Sequence, residues 1–141
     1  EGGCQANGAG AEHETIRAPG VFDEPRIHFV VNCASIGCPA LRSAAMRAGE
    51  LEKQLADSTR RFLSDRSRNR FDPVGKVLQV SKIFDWYGAD FAKGHQGIGS
   101  LKQLFASHAN LLADGQENQT LVREQRADID FLDYDWSLNR R

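Results

Sequence analysis

The sequence predicts an α+β domain, with a small mixed or antiparallel sheet of three to four strands packed against three to four helices. Two observations predict this class. Short runs at 26–33, 76–81 and 127–138 have either the alternation of a strand or the apolar composition of a buried one. Between them lie segments with the helical period, notably SLKQLFASHANLLADG at 100–115. The 141 residues are enough for one domain with a real core.

The amino-terminal stretch is rich in glycine and alanine and has almost no large apolar residue before Ile16. We therefore expect residues 1–11 to be flexible and residues 12–141 to form the single domain. The run EHETIR at 12–17 predicts one short helical turn, which the Pro-Gly pair at 19–20 stops. The opening also reads like part of something longer.

The run RIHFVVNC at 26–33 is β-branched, aromatic and mostly apolar, which predicts a strand covered on both faces. Pro39 favours a helix start, so helical structure is expected from Ala40 to about Ser64. Gly49 is expected to break this segment into two helices. The expected buried stripe consists of Leu41, Met46, Leu51, Leu55, Phe62 and Leu63.

The second half of the chain alternates between strand and helix signals. DPVG predicts a turn, so the RF pair before it and KVLQVS after it should form a hairpin. IFDWYGADFAK is expected to be a short amphipathic helix, and residues 94–99 a glycine-rich linker. Ser100 should cap the next helix and Gly115 should stop it. ADIDFLDYDWSLNRR predicts a terminal strand with one register change.

Composition excludes several classes of function. The formal net charge is −1 with 26% charged residues, which is not the basic footprint of a nucleic-acid-binding protein. No apolar stretch approaches the roughly 18–20 residues of a membrane span. We therefore expect no nucleic-acid partner and no membrane span, and no motif indicates a cofactor.

The three cysteines, Cys4, Cys33 and Cys38, are too few for a disulfide-built scaffold. Four fates stay open for Cys33 and Cys38: catalytic thiol, disulfide, zinc ligand or small buried residue. A disulfide requires their Cα atoms to lie within about 7 Å of each other. The C-x4-C spacing is poor for zinc, so no metal site is predicted.

The catalytic hypothesis pairs Cys33 with a histidine. In a regular strand His28 and Cys33 leave opposite faces about 17 Å apart, at ~3.3 Å per residue. His28 is therefore expected to be a structural, hydrogen-bonded residue. His13 could fold back to Cys33 and take its proton, and the thiolate would attack a carbonyl. Glu12 or Asp135 would orient the imidazole, and backbone N–H groups at 34–37 would bind the oxyanion.

Four side chains are candidates for substrate binding: Lys82, Trp86, Tyr87 and Trp136. The aromatic residues could line a groove in which Lys82 holds a carboxylate. The competing interpretation is that the aromatic rings cover the sheet as core residues. Lys82 and Asp85 would then form an ordinary surface ion pair.

Several motifs occur together in one order: EHETIR, DEPRIHFVVNCASIGCPAL, RNRFD, VSKIFDWYGADF and FLDYDWSLN. Together they resemble a widespread bacterial and plant family, domain of unknown function five-four-seven, over about residues 12–139. The family's first motif usually reads Ile-Glu-His followed by Leu-Arg, and this chain keeps the Glu-His pair at Glu12 and His13. The family's usual upstream helical segment is not present in this sequence.

The resemblance implies an uncharacterised protein rather than a defined reaction. Plant members retain the thiol that matches Cys33 but not the one that matches Cys38, which favours Cys33 as the functional thiol. A cysteine combined with a Glu-His motif is similar in kind to papain-like and transglutaminase-like enzymes, in a permuted order. Many bacterial relatives look exported, which implies a periplasmic or secreted location. The missing segment implies that the chain is either a fragment or a divergent, truncated member of the family, and that an upstream segment or a second chain could complete its fold.

Two functional hypotheses follow. The first is a thiol-dependent hydrolase or acyl transferase that acts on amide or peptide-like bonds, with a peptide or small molecule as ligand. The second is a non-catalytic binding or scaffold module of the cell envelope, in which the same motifs hold the fold together.

Overall fold

The computed structural model describes residues 24–139, and this part of the chain has the predicted α+β architecture. Six α-helices and three strands occur within it. The helices are α1 (Leu51–Ser64), α2 (Ile83–Trp86), α3 (Gly88–Phe91), α4 (Leu101–Ser107), α5 (Ala109–Leu112) and α6 (Gln116–Arg123). The strands are β1 (Arg70–Asp72), β2 (Val77–Val80) and β3 (Asp128–Phe131). Short 3-10 helices occupy Pro25–Phe29, Ala48–Glu50 and His95–Gly97.

The sheet is mixed, with strand order β1-β2-β3. The predicted hairpin is confirmed, since β1 and β2 are antiparallel with Phe71 opposite Leu78. Strand β3 then runs parallel to β2, with Ile129 opposite Leu78. A parallel neighbour requires a long crossover, which the helices α2 to α6 provide. The predicted terminal strand therefore exists, but it ends at Phe131.

Aromatic rings form the centre of the core. Phe84 lies in contact with Phe105 and Phe91, at centroid distances of 4.9 and 5.3 Å. Phe29 stacks on Phe62 of α1 at 4.9 Å. Ring pairs at these separations add to the hydrophobic stabilisation that burial already provides. Leu63, Val80 and Leu112 complete this core without any exposure.

The predicted strand at 26–33 was wrong. Residues Pro25–Phe29 form a 3-10 helix, which begins because Pro25 occupies its first turn and the Glu24 carboxylate accepts the Arg26 N–H at 3.0 Å. The β-branched run finds no partner strand, and Val31 beyond the helix is 48% exposed. His28 is buried, as expected of a structural residue, although not in a strand.

The predicted helix from Ala40 was also wrong in its first half, because residues 39–47 are irregular. The side chain of Gln54 in α1 binds two backbone groups that would be hydrogen-bonded within a helix. It accepts a hydrogen bond from the Arg47 N–H and donates one to the Ala45 carbonyl. The expected break near Gly49 is confirmed, since a 3-10 turn there precedes α1. The inward stripe is buried only from Leu55 onward, while Leu41, Met46 and Leu51 are exposed.

Two predicted helices are each divided in the structure. The segment after Lys82 is split at Tyr87, and the segment after Ser100 is split at His108. The predicted cap is confirmed, because Ser100 Oγ accepts the Gln103 N–H at 3.1 Å. Helix α6 was not predicted from the sequence; it follows Gly115, which has φ +80°.

None of the helices described in residues 24–139 is both long and apolar enough to cross a bilayer.

Candidate functional site

Cys33 and Cys38 are joined by a disulfide, with their Cα atoms 6.2 Å apart. This is one of the four fates that the sequence left open. The two sulfur-bearing residues differ in exposure: Cys38 is 4% exposed, whereas Cys33 is only half-buried. We call these two residues the sulfur pair. In this structure Cys33 is therefore not the free thiol that the hydrolase hypothesis requires, and its role as a nucleophile stays a prediction for the reduced protein.

Three hydrogen-bond donors lie around the buried sulfur of Cys38. The Cys33 N–H donates to it at 2.9 Å, the Tyr134 hydroxyl at 3.1 Å and the Ser35 hydroxyl at 3.4 Å. The same two hydroxyls also contact Cys33 Sγ, at 3.4 and 3.2 Å, and they lie 2.9 Å from each other. Donors placed around sulfur stabilise a thiolate more than a neutral sulfur.

The chain between the two cysteines is held by side-chain hydrogen bonds. Asn32 accepts the Ala34 N–H at 2.8 Å and donates to the Pro39 carbonyl at 2.7 Å, which closes the loop at residues 32–39. Ala34 adopts a left-handed conformation with φ +64°, which is strained for a residue with a Cβ. Arg68 donates to the Cys38 carbonyl at 2.8 Å and forms an ion pair with Asp65. The sulfur pair thus lies in a fixed loop.

The segment 134–139 runs antiparallel to residues 34–37 and brings Tyr134 to the sulfurs. Gly37 N–H donates to the Asp135 carbonyl, Ile36 N–H to the Ser137 carbonyl, and Asn139 N–H to the Ala34 carbonyl. The amides of Ile36, Gly37 and Ala34 are therefore already used within the chain. The predicted oxyanion site at 34–37 is wrong to that extent, since three of its N–H groups cannot also bind a substrate.

Beside the sulfur pair lies an aromatic cluster, made of Trp86, Tyr134 and Trp136. The Tyr134 ring centroid lies 4.6 Å from Trp136 and 4.9 Å from Trp86, and the two indoles are 5.6 Å apart. Trp86 is half-buried, while Trp136 is 44% exposed. Gly37 lets Tyr134 approach, because a Cβ at that position would lie 2.7 Å from the ring. The interpretation that these aromatic rings are core residues therefore fits Trp86 better than Trp136.

The other predicted substrate-binding residues lie in different surroundings. Tyr87 stacks on His28 at a centroid distance of 4.1 Å, and His28 is in turn hydrogen-bonded to Asp90 at 2.9 Å. Lys82 forms an ion pair with Asp85 at 2.7 Å on the surface of α2. Neither arrangement by itself indicates a ligand.

The predicted catalytic partners of Cys33 are only partly visible. His13 and Glu12 lie outside the described residues. Asp135 is present beside the sulfur pair, but its backbone rather than its carboxylate meets the loop. The carboxylate accepts the Ser137 N–H at 2.9 Å, and hydrogen bonds from the backbone and side chain of Ser137 hold the pKa of Asp135 below its ordinary value.

Sequence reasoning missed Ser35 and underused Tyr134. No local signal points to Ser35, because Ala34 between it and Cys33 adopts the left-handed conformation and the two-residue period of an extended chain does not apply there. The role of Tyr134 had no local signal, since it lies 101 positions from Cys33. Among residues 24–139, no group of three or more metal-ligating side chains is close enough to hold a metal ion.

Residues 3–63 match the family model described as "Protein of unknown function, DUF547". The matched range contains both members of the sulfur pair and ends within α1. No curated protein and no solved structure matches the chain significantly. The resemblance that the motifs suggested is thus confirmed within residues 3–63, and its extension to about residue 139 stays a prediction. Residues 3–63 are thus similar to the DUF547 family, whose function is unknown.

Proposed function

We propose that the chain carries out thiol–disulfide exchange at the sulfur pair, with Cys33 as the sulfur that external thiols attack. The observation that supports this is the asymmetry of the disulfide. Cys33 is half-buried, whereas Cys38 is 4% exposed and receives hydrogen bonds from the Cys33 N–H and the Tyr134 hydroxyl. Exchange depends on access to the attacked sulfur and on how well the leaving thiolate is stabilised.

The reaction proceeds in two balanced steps. The thiolate of a substrate dithiol attacks Cys33 Sγ, forming a mixed disulfide and releasing Cys38 as a thiolate. The second thiolate of the substrate then attacks its own sulfur in the mixed disulfide and releases the Cys33 thiolate. The substrate is oxidised to a disulfide and the protein is reduced by two electrons. The two cysteine thiolates take up protons from solvent, and reaction with a substrate disulfide runs the same steps in reverse.

The experiment compares Cys38→Ser with Cys33→Ser, each incubated with oxidised glutathione under native conditions. With Cys4→Ser added to both variants so that one thiol remains in each, we expect Cys33 in the first to form a mixed disulfide at least tenfold faster than Cys38 in the second, measured by intact mass. Equal rates would contradict attack at Cys33. If dithiothreitol reduces the wild-type disulfide only after the protein has unfolded, the bond is purely structural, as the scaffold hypothesis expects.

The second candidate is the thiol-dependent hydrolase or acyl transferase. The specific observation that favours it is that reduction would leave Cys33 partly accessible beside two hydroxyls and the aromatic cluster. His13 would serve as base and Glu12 or Asp135 as orienter. Reduced wild type should then hydrolyse a thioester or activated amide, and both Cys33→Ser and His13→Ala should lose that activity while still folding. Retained activity in Cys33→Ser would exclude this mechanism.

We further propose a periplasmic or secreted location, because disulfides persist in oxidising compartments and are rare in the cytosol. The partner would be a protein or peptide thiol of that compartment. Fractionation of cells with immunodetection of the chain tests this location: recovery from the periplasm or the medium supports it, and recovery from the cytosol alone contradicts it.

A further inference from the structure

We propose that the substrate at the sulfur pair is an extended peptide segment that carries its cysteine next to an aromatic residue, and that Trp136 selects it. This inference names the substrate class of the exchange site and therefore rests on the proposed function for its chemistry. Its binding component can be measured without any exchange reaction.

The first support is the position of Trp136 relative to the sulfurs. The Tyr134 hydroxyl contacts both sulfurs, at 3.1 and 3.4 Å, and the Tyr134 ring packs on Trp136 at 4.6 Å. The indole is thus one aromatic ring away from the attacked bond, and 44% of Trp136 is exposed. A large aromatic side chain that is left open beside a reactive centre is suited to contact a ligand ring.

The second support is the backbone around Trp136. Residues 135, 137 and 139 use their carbonyl or N–H groups to bind the loop at 34–37. Among the described residues, no hydrogen bond uses the backbone groups of Trp136 or Leu138, and Leu138 is 61% exposed. Backbone groups left without a partner at an exposed surface are available to the backbone groups of a bound peptide. This feature favours a peptide over a small aromatic thiol.

The proposal includes a spacing between the cysteine and the aromatic residue of the substrate, chosen to span the single ring that separates Trp136 from the sulfurs. Side chains two residues apart in an extended peptide lie on the same face, about 7 Å from each other. A substrate with the pattern Cys-x-aromatic can therefore direct its sulfur to Cys33 while its ring contacts Trp136. A hydrophilic thiol such as glutathione lacks this second contact.

The test uses two pentapeptide amides, Gly-Cys-Gly-Trp-Gly and Gly-Cys-Gly-Ser-Gly, as reductants of the wild-type disulfide. We expect the tryptophan peptide to react about three- to tenfold faster, because an aromatic pair contributes ~0.5–1.5 kcal/mol. In Trp136→Ala this ratio should fall to about one, while Trp136→Phe should keep most of it. Val74→Ala, which changes an apolar residue that is 91% exposed in the β1–β2 turn, should keep the wild-type ratio.

A second readout separates this inference from the proposed function. Gly-Ser-Gly-Trp-Gly, which cannot exchange, should shift the indole resonance of Trp136 in a heteronuclear NMR titration, whereas Gly-Ser-Gly-Ser-Gly should not. Binding of the serine peptide without any reaction of the thiol peptides would contradict the exchange function and still support the recognition site. Rapid reduction by glutathione together with equal peptide rates and no Trp136 shift would overturn the recognition site alone.

Discussion

Removal of one hydroxyl group tests whether the surroundings of Cys38 make its disulfide reactive. In Tyr134→Phe the ring still packs between Trp86 and Trp136, but the donor that lies 3.1 Å from Cys38 Sγ is lost. The Cys33 N–H remains at 2.9 Å and the Ser35 hydroxyl at 3.4 Å. The substitution therefore removes one of the three donors to Cys38 Sγ, together with the contacts of the same hydroxyl to Cys33 Sγ and Ser35 Oγ.

The size of the effect follows from the charge on the leaving sulfur. A hydrogen bond to a fully charged group contributes ~1.5–3 kcal/mol. In the transition state of exchange the sulfur carries roughly half of a full charge, in line with Brønsted coefficients of about 0.4–0.5. About half of that energy is then lost, so opening of the disulfide in Tyr134→Phe should be about three- to tenfold slower, since 1.4 kcal/mol corresponds to a factor of ten.

The rate is measured with excess dithiothreitol at fixed pH, by quenching with iodoacetamide and counting alkylated cysteines by mass. Ser35→Ala removes the more distant hydroxyl and should slow the reaction less. Ser64→Ala, which removes an exposed hydroxyl at the end of α1, should react at the wild-type rate. The reasoning is refuted if Tyr134→Phe opens as fast as wild type while its thermal unfolding is unchanged.

Three further predictions concern stability. Reduction of the disulfide, whose cysteines are five positions apart, should lower the free energy of unfolding by about 2 kcal/mol through loss of loop closure, as measured by urea denaturation with and without reductant. An unchanged midpoint of urea denaturation after reduction would contradict this contribution of the disulfide. Gly37→Ala should lower the free energy of unfolding by about 1–3 kcal/mol, because its Cβ would lie 2.7 Å from the Tyr134 ring. The control Gly49→Ala should leave the free energy of unfolding unchanged, because a Cβ there would have no atom within 4 Å. Equal stability of the two variants would show that the Tyr134 ring moves freely. Burial raises the pKa of Glu24, but hydrogen bonds from the Arg26 side chain and backbone outweigh it, so this pKa stays below its ordinary value of 4.5. Stability from Glu24 should therefore be full above that value and be lost as the pH falls below it, and Glu24→Gln should flatten the acid limb of a stability-versus-pH curve. An identical acid limb in the variant would contradict the coupling.

The sequence predicted the local elements better than it predicted their partners. The hairpin and the Ser100 cap were recognised because turn residues and a capping side chain act within a few positions. The run at 26–33 was misread because its composition suits a strand, while the stronger local signals were Glu24 and Pro25, which start a 3-10 helix. Composition cannot say whether a strand will find an edge to pair with.

At the candidate site, too, local features were predicted from the sequence and long-range contacts were not. The spacing of Cys33 and Cys38 already allowed a disulfide, which depends on neighbours in the chain. The terminal segment was expected to deliver the carboxylate of Asp135 to the sulfur, and it does reach the loop. It brings the Tyr134 hydroxyl instead, because the register with residues 34–37 turns the backbone of Asp135 toward Gly37. A register between segments 100 residues apart depends on tertiary packing that no local pattern encodes.

The antiparallel contact between residues 34–37 and 135–139 also has a consequence for biogenesis. The bond between Cys33 and Cys38 joins near neighbours, so it can form before residues 134–139 reach the loop. The Tyr134 hydroxyl that contacts both sulfurs lies 101 residues after Cys33 in the sequence. If the proposed exchange function holds, a folding intermediate with this disulfide already formed would lack the Tyr134 donor, and its disulfide should open more slowly than that of the folded chain.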